Sequence, residues 1–214
     1  MVSKALAVLM LSVSVHAVAN DEFADEIIRL SGVMGMSDQV RQLAEAYRQT
    51  LPEGAQQDYL ESLVVWSQPS LRQGYESVLA GYSYEVRKQI ASLLALPLMS
   101  RARRAEEVAL LEQDDPAYQA YMQKLRQKPP VSSRVDRINR LAGAMMMPDW
   151  LMQAQAAASG PLTDEQSEEI RTTTRHFLLY AYRRLSNPEV EQLIRFWREP
   201  VMQRWMRDAM ASLP

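Results

Sequence analysis

The chain is organised around the stretch RLSGVMGM, residues 29–36, which returns as RLAGAMMM at residues 140–147. Around the two copies, matching residues recur at the same offset of 111 positions: Asp25 with Asp136, Ile27 with Ile138, and Asp38 with Asp149. Apolar residues at i, i+4 and i+7 before each copy indicate one face of a helix. We predict that Gly32 and Gly143 end these helices, because glycine adopts the left-handed conformation without a Cβ clash. Each copy is therefore predicted to be a helix, a glycine stop and a second helix.

A second set of matches follows at an offset of 103 positions, pairing Ser83, Pro97, Met99 and Arg101 with Ser186, Pro200, Met202 and Arg204. Two matched blocks in the same order favour a diverged tandem duplication, whereas a chance match remains the alternative. Copies of this kind pack against each other and share one core. We therefore predict an all-α fold, a helical bundle or short solenoid of about eleven helices built from two diverged repeats.

The amino-acid composition and the positions of capping residues and prolines also favour helices. Glycine is scarce, and the abundant Ala, Leu, Gln, Glu, Arg and Met are good helix formers. We predict N-terminal caps, several of them capping boxes, at Ser37, Ser70, Ser83, Thr163 and Ser186. Prolines are predicted in the first turns of helices at Pro97, Pro116, Pro148 and Pro200. The linker QKPPVSS, residues 127–133, separates a first half (residues 20–130) from a second half (residues 131–214).

Residues 1–19 have the pattern of a secretory signal peptide. Lys4 supplies a positive amino-terminal region, residues 5–15 form a short apolar run, and Ala17-Val18-Ala19 is a cleavage site of the A-x-A type. The apolar run is shorter than the roughly 20 residues of a membrane span. We predict cleavage after Ala19, export to the periplasm, and no transmembrane segment in the mature chain.

The C-terminal part resembles a known family. The segments YAY (residues 180–182), LSNPEV (residues 185–190) and LIRFWREPVM (residues 193–202) are similar to the signature of the DUF2059 family. The resemblance covers residues 165–210, with Glu199 where the family has Ser or Thr and Met202 where it has Gly. It implies an exported, all-helical bacterial protein in the periplasm of a Gram-negative cell. The family has no established activity that could be carried over.

Catalytic and metal-binding patterns are sparse. The chain has no cysteine, and His176 is the one histidine after residue 19, which excludes a zinc site built from His and Cys. Acidic residues cluster at the predicted helix starts, where they favour the positive end of the helix dipole: Asp21, Glu22, Asp25, Glu26, Asp164, Glu165, Glu168 and Glu169. We predict no enzyme activity, metal or cofactor; a hydrolase that uses carboxylates is the alternative. The formal net charge of −2 gives no reason to expect nucleic-acid binding.

The methionines are the compositional outlier, with 13 in the chain. We predict a ligand-binding groove lined by Met34, Met36, Met145, Met146 and Met147. Packing in the core and binding of Cu(I) by thioethers are the alternatives. Arginines could also face an anionic partner, or lie on a solvated helix face: Arg101, Arg103, Arg104, Arg183 and Arg184.

The predicted function is an exported, non-enzymatic binding or protein-interaction module. Its partner is predicted to be an envelope protein or an apolar small molecule. A structural or stress-related envelope protein without a ligand is the alternative.

Overall fold

The computed structural model describes residues 23–128 and 130–214, and within them the chain is helical apart from turns and short connections. The first helix, α1, covers residues 23–31. Eleven further helices follow in the described part: α2 (Gly35–Arg48), α3 (Glu53–Ser62), α4 (Gln68–Ala80), α5 (Tyr84–Leu94), α6 (Pro97–Leu111), α7 (Pro116–Gln127), α8 (Ser132–Ala144), α9 (Met147–Ser159), α10 (Asp164–Ala181), α11 (Asn187–Trp197) and α12 (Pro200–Ala211). A 3₁₀ turn, Leu63–Trp66, joins α3 to α4. The all-α prediction is confirmed, whereas the predicted signal peptide lies outside the described residues.

Two of the predicted capping boxes are present. The Thr163 hydroxyl accepts from the Gln166 backbone N–H, and the Gln166 side chain accepts from the Thr163 N–H. Ser186 and Glu189 form the same reciprocal pair at the start of α11. These bonds satisfy backbone donors that the first turn of a helix otherwise leaves without a partner.

The predictions of caps at Ser37 and Ser70 are wrong. Helix α2 already begins at Gly35, so Ser37 lies inside it and is buried. Helix α4 begins at Gln68, because Pro69 fits the first turn of a helix, where its missing N–H costs no hydrogen bond. The position before a first-turn proline, and not a serine within the turn, marks this helix start.

The two glycine stops also differ. Gly32 has a φ of 76° directly after α1, as predicted for a left-handed stop. The prediction for Gly143 is wrong, because α8 continues through it to Ala144. The left-handed residue in the second turn is Met146, with φ 53° and ψ 23°.

One hydrophobic core runs through both halves of the chain, and every helix except α3 contributes buried residues to it. The most extensive helix pair is α2 with α9, one helix from each half, followed by α8 with α11. Helix α10 packs on α6, α8 and α9 and so lies between the halves. No helix in residues 23–128 and 130–214 combines the length and apolar character needed to cross a bilayer.

Several matched positions play the same local role in the two halves. Ser83 and Ser186 both precede helices of 11 residues and cap them through their side chains. Pro97 and Pro200 are the first residues of α6 and α12. The contacts also cross between the halves, since α5 packs on α12 and α6 packs on α11.

Candidate functional site

The five predicted methionines lie in two short segments, which we call the methionine turns: residues 32–36, from the end of α1 into the first turn of α2, and residues 143–147, from the last turn of α8 to the first residue of α9. Met36 and Met145 are buried members of the core. Met34, Met146 and Met147 are half-buried and pack against it. The side chains therefore divide between core packing and partly accessible positions.

Contacts at the carboxyl ends of α2 and α9 indicate that these helices run in the same direction. At their carboxyl ends, the Tyr59 ring packs edge-on against Tyr47, with centroids 5.6 Å apart, and the Tyr59 hydroxyl donates to the Ala158 carbonyl. Tyr47 lies near the end of α2, and Ala158 near the end of α9. Because the two helices pack extensively and share this end, their amino ends and the methionine turns share the other.

Each methionine turn is bound by one of two helices, α4 and α12, that contact each other. The Tyr75 hydroxyl donates to the Val33 carbonyl over 3.3 Å, and the Tyr75 ring packs edge-on against Trp205 with centroids 6.2 Å apart. On the other side, the Gln203 amide donates to the Ala144 carbonyl over 2.7 Å. Helix α4 thus binds the turn of the first half, α12 binds the turn of the second half, and the two helices meet at the Tyr75–Trp205 pair.

Two buried indole N–H groups have no hydrogen-bond partner among the described residues. They belong to Trp205, which is fully buried, and to Trp150 in the first turns of α9. A buried donor without an acceptor costs about 1–3 kcal/mol of stability. Trp205 packs on Tyr75, whose hydroxyl donates to Val33 of the first methionine turn, and Trp150 follows the second methionine turn by three residues.

Met146 adds backbone strain to the same place. Among the described residues it is the one non-glycine residue with a positive φ. Such a conformation costs on the order of 1–3 kcal/mol and occurs preferentially at functional sites. The second methionine turn therefore combines strain with an unpartnered donor.

A buried carboxyl group, which the sequence did not reveal, lies at the interface of α6 and α10. Residue Glu106 is half-buried as a whole, but its carboxyl group is buried and accepts a hydrogen bond from the fully buried Tyr182 hydroxyl. Burial raises the pKa of Glu106 to about 7, although Tyr182 and Arg103 act in the opposite direction. Burial also raises the pKa of Tyr182. A single buried acid facing a tyrosine offers no second carboxylate for acid–base chemistry.

The other predicted polar clusters have structural partners or are exposed. The acidic residues at the start of α10 are exposed, and Glu168 pairs with Arg171. Arg101 pairs with Glu189, and the Arg103 guanidinium donates to the Leu94 carbonyl over 2.8 Å. Arg183 contacts Glu112 over 3.0 Å and stacks on the Tyr180 ring, so three of the five predicted arginines bind within the chain.

His176 is half-buried inside α10. Across the described ranges, no three His, Asp or Glu side chains lie close enough to share a metal ion. No family model, curated protein or solved structure matches the chain. The resemblance to the DUF2059 family stays a prediction.

Proposed function

We propose that the protein is an exported, non-enzymatic helical binding module that takes a small apolar ligand at the methionine turns. One observation carries this proposal: helices α4 and α12, which meet at the Tyr75–Trp205 pair, each bind one methionine turn, and the buried indole N–H of Trp205 has no acceptor among the described residues. The remaining support comes from the surrounding side chains and backbone.

The chemistry of the turns defines the ligand class. Methionine side chains are flexible and polarizable, so they adapt to apolar shapes. A bound molecule with one hydrogen-bond acceptor would satisfy the indole of Trp205 or Trp150 and recover the free energy that the unpartnered donor costs. We therefore propose a mainly apolar ligand with a carbonyl, ester or carboxyl oxygen.

We also propose that the two halves arose by tandem duplication, as the two matched sequence blocks suggest. The paired caps at Ser83 and Ser186, the paired helix starts at Pro97 and Pro200, and the crossed contacts of α5 with α12 and α6 with α11 support this. A ligand between the methionine turns would then lie between equivalent elements of the two copies. Export to the periplasm and membership of the DUF2059 family belong to the same proposal.

The first experiment is native mass spectrometry of the protein expressed from all 214 residues and purified from the periplasm, with an organic extract analysed in parallel. A chain that begins at Asn20 supports the predicted export and cleavage. An adduct that is also recovered in the organic extract identifies an apolar ligand. A bare chain that stays bare after incubation with fatty acids and other lipids contradicts the proposal.

Matched variants locate the ligand. Met34→Leu and Met147→Leu change half-buried side chains of the turns, whereas Met99→Leu changes a buried methionine of α6 as the control. We expect the turn variants to lower adduct occupancy several-fold and the Met99 variant to leave it unchanged. If the protein forms an adduct with Cu(I) but none with lipids, the methionine turns would be a Cu(I) site and not a site for an apolar ligand.

A further inference from the structure

Helix α3 and the 3₁₀ turn that follows it, together called the α3 edge (Glu53–Ser62 and Leu63–Trp66), contain no buried residue. A free helix of this length is marginal in water, because nucleation costs more than a few backbone hydrogen bonds return. The α3 edge is therefore stabilised by contacts between one of its sides and the neighbouring helices. Its other side has no partner in the described chain.

The inner side is attached to α2, α4 and α9. Tyr59 reaches both Tyr47 and the Ala158 carbonyl, and Gln56 accepts from the Arg48 guanidinium over 3.0 Å. Leu63 and Trp66 are half-buried and pack against the core. These contacts place the edge at the carboxyl ends of α2 and α9, at the opposite end of that helix pair from the methionine turns.

The outer side presents apolar side chains. Leu60, Val64 and Val65 are 38%, 63% and 49% exposed. Because Leu60 and Val64 are four residues apart in a helical segment, they lie on one face. Single exposed aliphatic residues need no explanation, but three within six residues, on a segment that buries nothing, indicate a contact surface.

The charge of the edge restricts what can cover this surface. Residues 52–71 contain Glu53, Asp58 and Glu61 but no lysine or arginine. The arginines that flank this range in the sequence are both paired with carboxylates: Arg48, which also donates to Gln56 of the edge, pairs with Glu45, and Arg72 pairs with Asp25 and Glu76. An acidic surface repels anionic lipid headgroups and attracts a basic protein surface.

We infer that the α3 edge docks a partner protein through an amphipathic helix that is apolar on one face and basic along its flanks. The apolar face covers Leu60, Val64 and Val65, while lysines or arginines on the flanks meet Asp58 and Glu61. This is the helix-against-apolar-surface mode of peptide recognition, with charge setting the choice of partner. The inference is independent of ligand binding at the methionine turns.

The test uses the purified full chain and a fluorescent 18-residue amphipathic peptide of leucine and lysine, with a leucine–glutamate peptide of the same pattern as the control. We expect the lysine peptide to bind at least tenfold more tightly than the glutamate peptide in fluorescence anisotropy, and more weakly at high salt. Val64→Ser combined with Val65→Ser should weaken binding at least tenfold. Asp58→Lys combined with Glu61→Lys should reverse the preference between the peptides.

Leu111→Ser supplies the control for a general loss of exposed apolar surface, because Leu111 is 85% exposed on α6, away from the edge. This variant should bind the peptide as the unaltered chain does. Failure of the lysine peptide to bind, or equal binding by the Val64/Val65 variant, overturns the inference.

Two other occupants are outcomes that also overturn it. Arg104, Val108 and Leu111 form an exposed basic and apolar face on α6, which a second copy could present to the edge. A dimer in sedimentation that both Leu111→Ser and the Val64/Val65 variant abolish would assign the edge to self-association. Co-sedimentation with phosphatidylglycerol vesicles, lost in the Val64/Val65 variant, would assign it to a membrane.

Discussion

The hydroxyl of Tyr182 donates a hydrogen bond to the buried carboxyl group of Glu106, joining α10 of the second half to α6 of the first. Two further bonds of the same kind cross between the halves: Tyr180 donates to Glu112 over 2.7 Å, and Tyr82 donates to Asp208 over 2.6 Å. Tyrosine–carboxylate pairs thus fasten the two halves where buried helices meet. Among the three carboxylates, Glu106 has its pKa raised by burial, so this pair makes stability sensitive to pH.

The first prediction concerns Glu106→Gln. The pKa of Glu106 is about 7 in the folded chain, against a usual value of 4.5, so the folded state binds the proton more tightly than the unfolded state. The free energy of unfolding therefore falls as pH rises from about 4.5 to about 7, by at most about 3 kcal/mol. Glutamine stays neutral and can still accept from Tyr182, so the variant should lose this decline and be more stable than the unaltered chain above pH 7.

Urea unfolding at pH 5 and pH 8 measures this effect. Glu107→Gln is the matched control, because Glu107 is the exposed neighbour whose charge makes the smallest contribution to the pKa of Glu106, so this variant should keep the decline with at most a small reduction. An unaltered decline between the two pH values in the Glu106 variant would show that another group causes it.

The second prediction compares the two glycines of the repeated stretch. Gly32→Ala should destabilise the chain by about 1 kcal/mol, because Gly32 has a φ of 76° that alanine adopts poorly. Gly143→Ala should stabilise it by about 0.5–1 kcal/mol, since Gly143 is helical and an added Cβ meets no atom within 4 Å. Thermal unfolding of both variants checks the opposite signs; equal signs would contradict the two backbone conformations.

The third prediction separates strain from side-chain contacts at Met146. Met146→Gly and Met146→Ala both remove the thioether, but only alanine keeps the cost of the left-handed conformation. The glycine variant should therefore be more stable than the alanine variant by about 1 kcal/mol. At Met147, the first residue of α9, the order should reverse because glycine weakens a helix. Chemical unfolding of the four variants gives both differences, and the same order at both positions would refute the assignment of strain to Met146.

The fourth prediction concerns the caps. Ser186→Ala should cost about 1 kcal/mol of stability, as should Thr163→Ala, because each removes a bond to the first turn of a helix. Ser70→Ala should have a small effect, since Ser70 lies inside α4 and is exposed. Comparable losses at all three positions in urea unfolding would argue against the capping boxes.

The Ser186 cap also has a defined pH range. Hydrogen bonds from the Ser186 backbone and side chain, together with Arg101, lower the pKa of Glu189 from 4.5 to about 2. The stabilisation by this carboxylate is therefore present above about pH 4.5 and is lost as pH falls toward 2. NMR titration of the Glu189 side chain in the unaltered chain and in Ser186→Ala should show a higher pKa in the variant.

Local signals predicted most of the helical framework. Prolines in first turns, the boxes at Thr163 and Ser186, and the stop at Gly32 each depend on residues within one turn of the chain. The predictions at Ser37, Ser70 and Gly143 were wrong, although they too depended on residues within one turn of the chain. At Ser70 the competing local signal was Pro69, which fits the first turn of α4. At the second turn, Gln203 of α12 holds the Ala144 carbonyl at the end of α8, one residue beyond Gly143.

The sequence by itself determined the helical class, most helix starts and the methionine-rich character of the two turns, since these follow from spacing and side-chain type. Only the tertiary structure decided that α4 and α12 bind the two turns and meet at Tyr75 and Trp205, that the Glu106 carboxyl group is buried against Tyr182, and that the α3 edge buries nothing. Burial and pKa depend on which distant segments exclude water from a group, and these contacts join residues 42 to 130 positions apart. No pattern within a few residues contains that information.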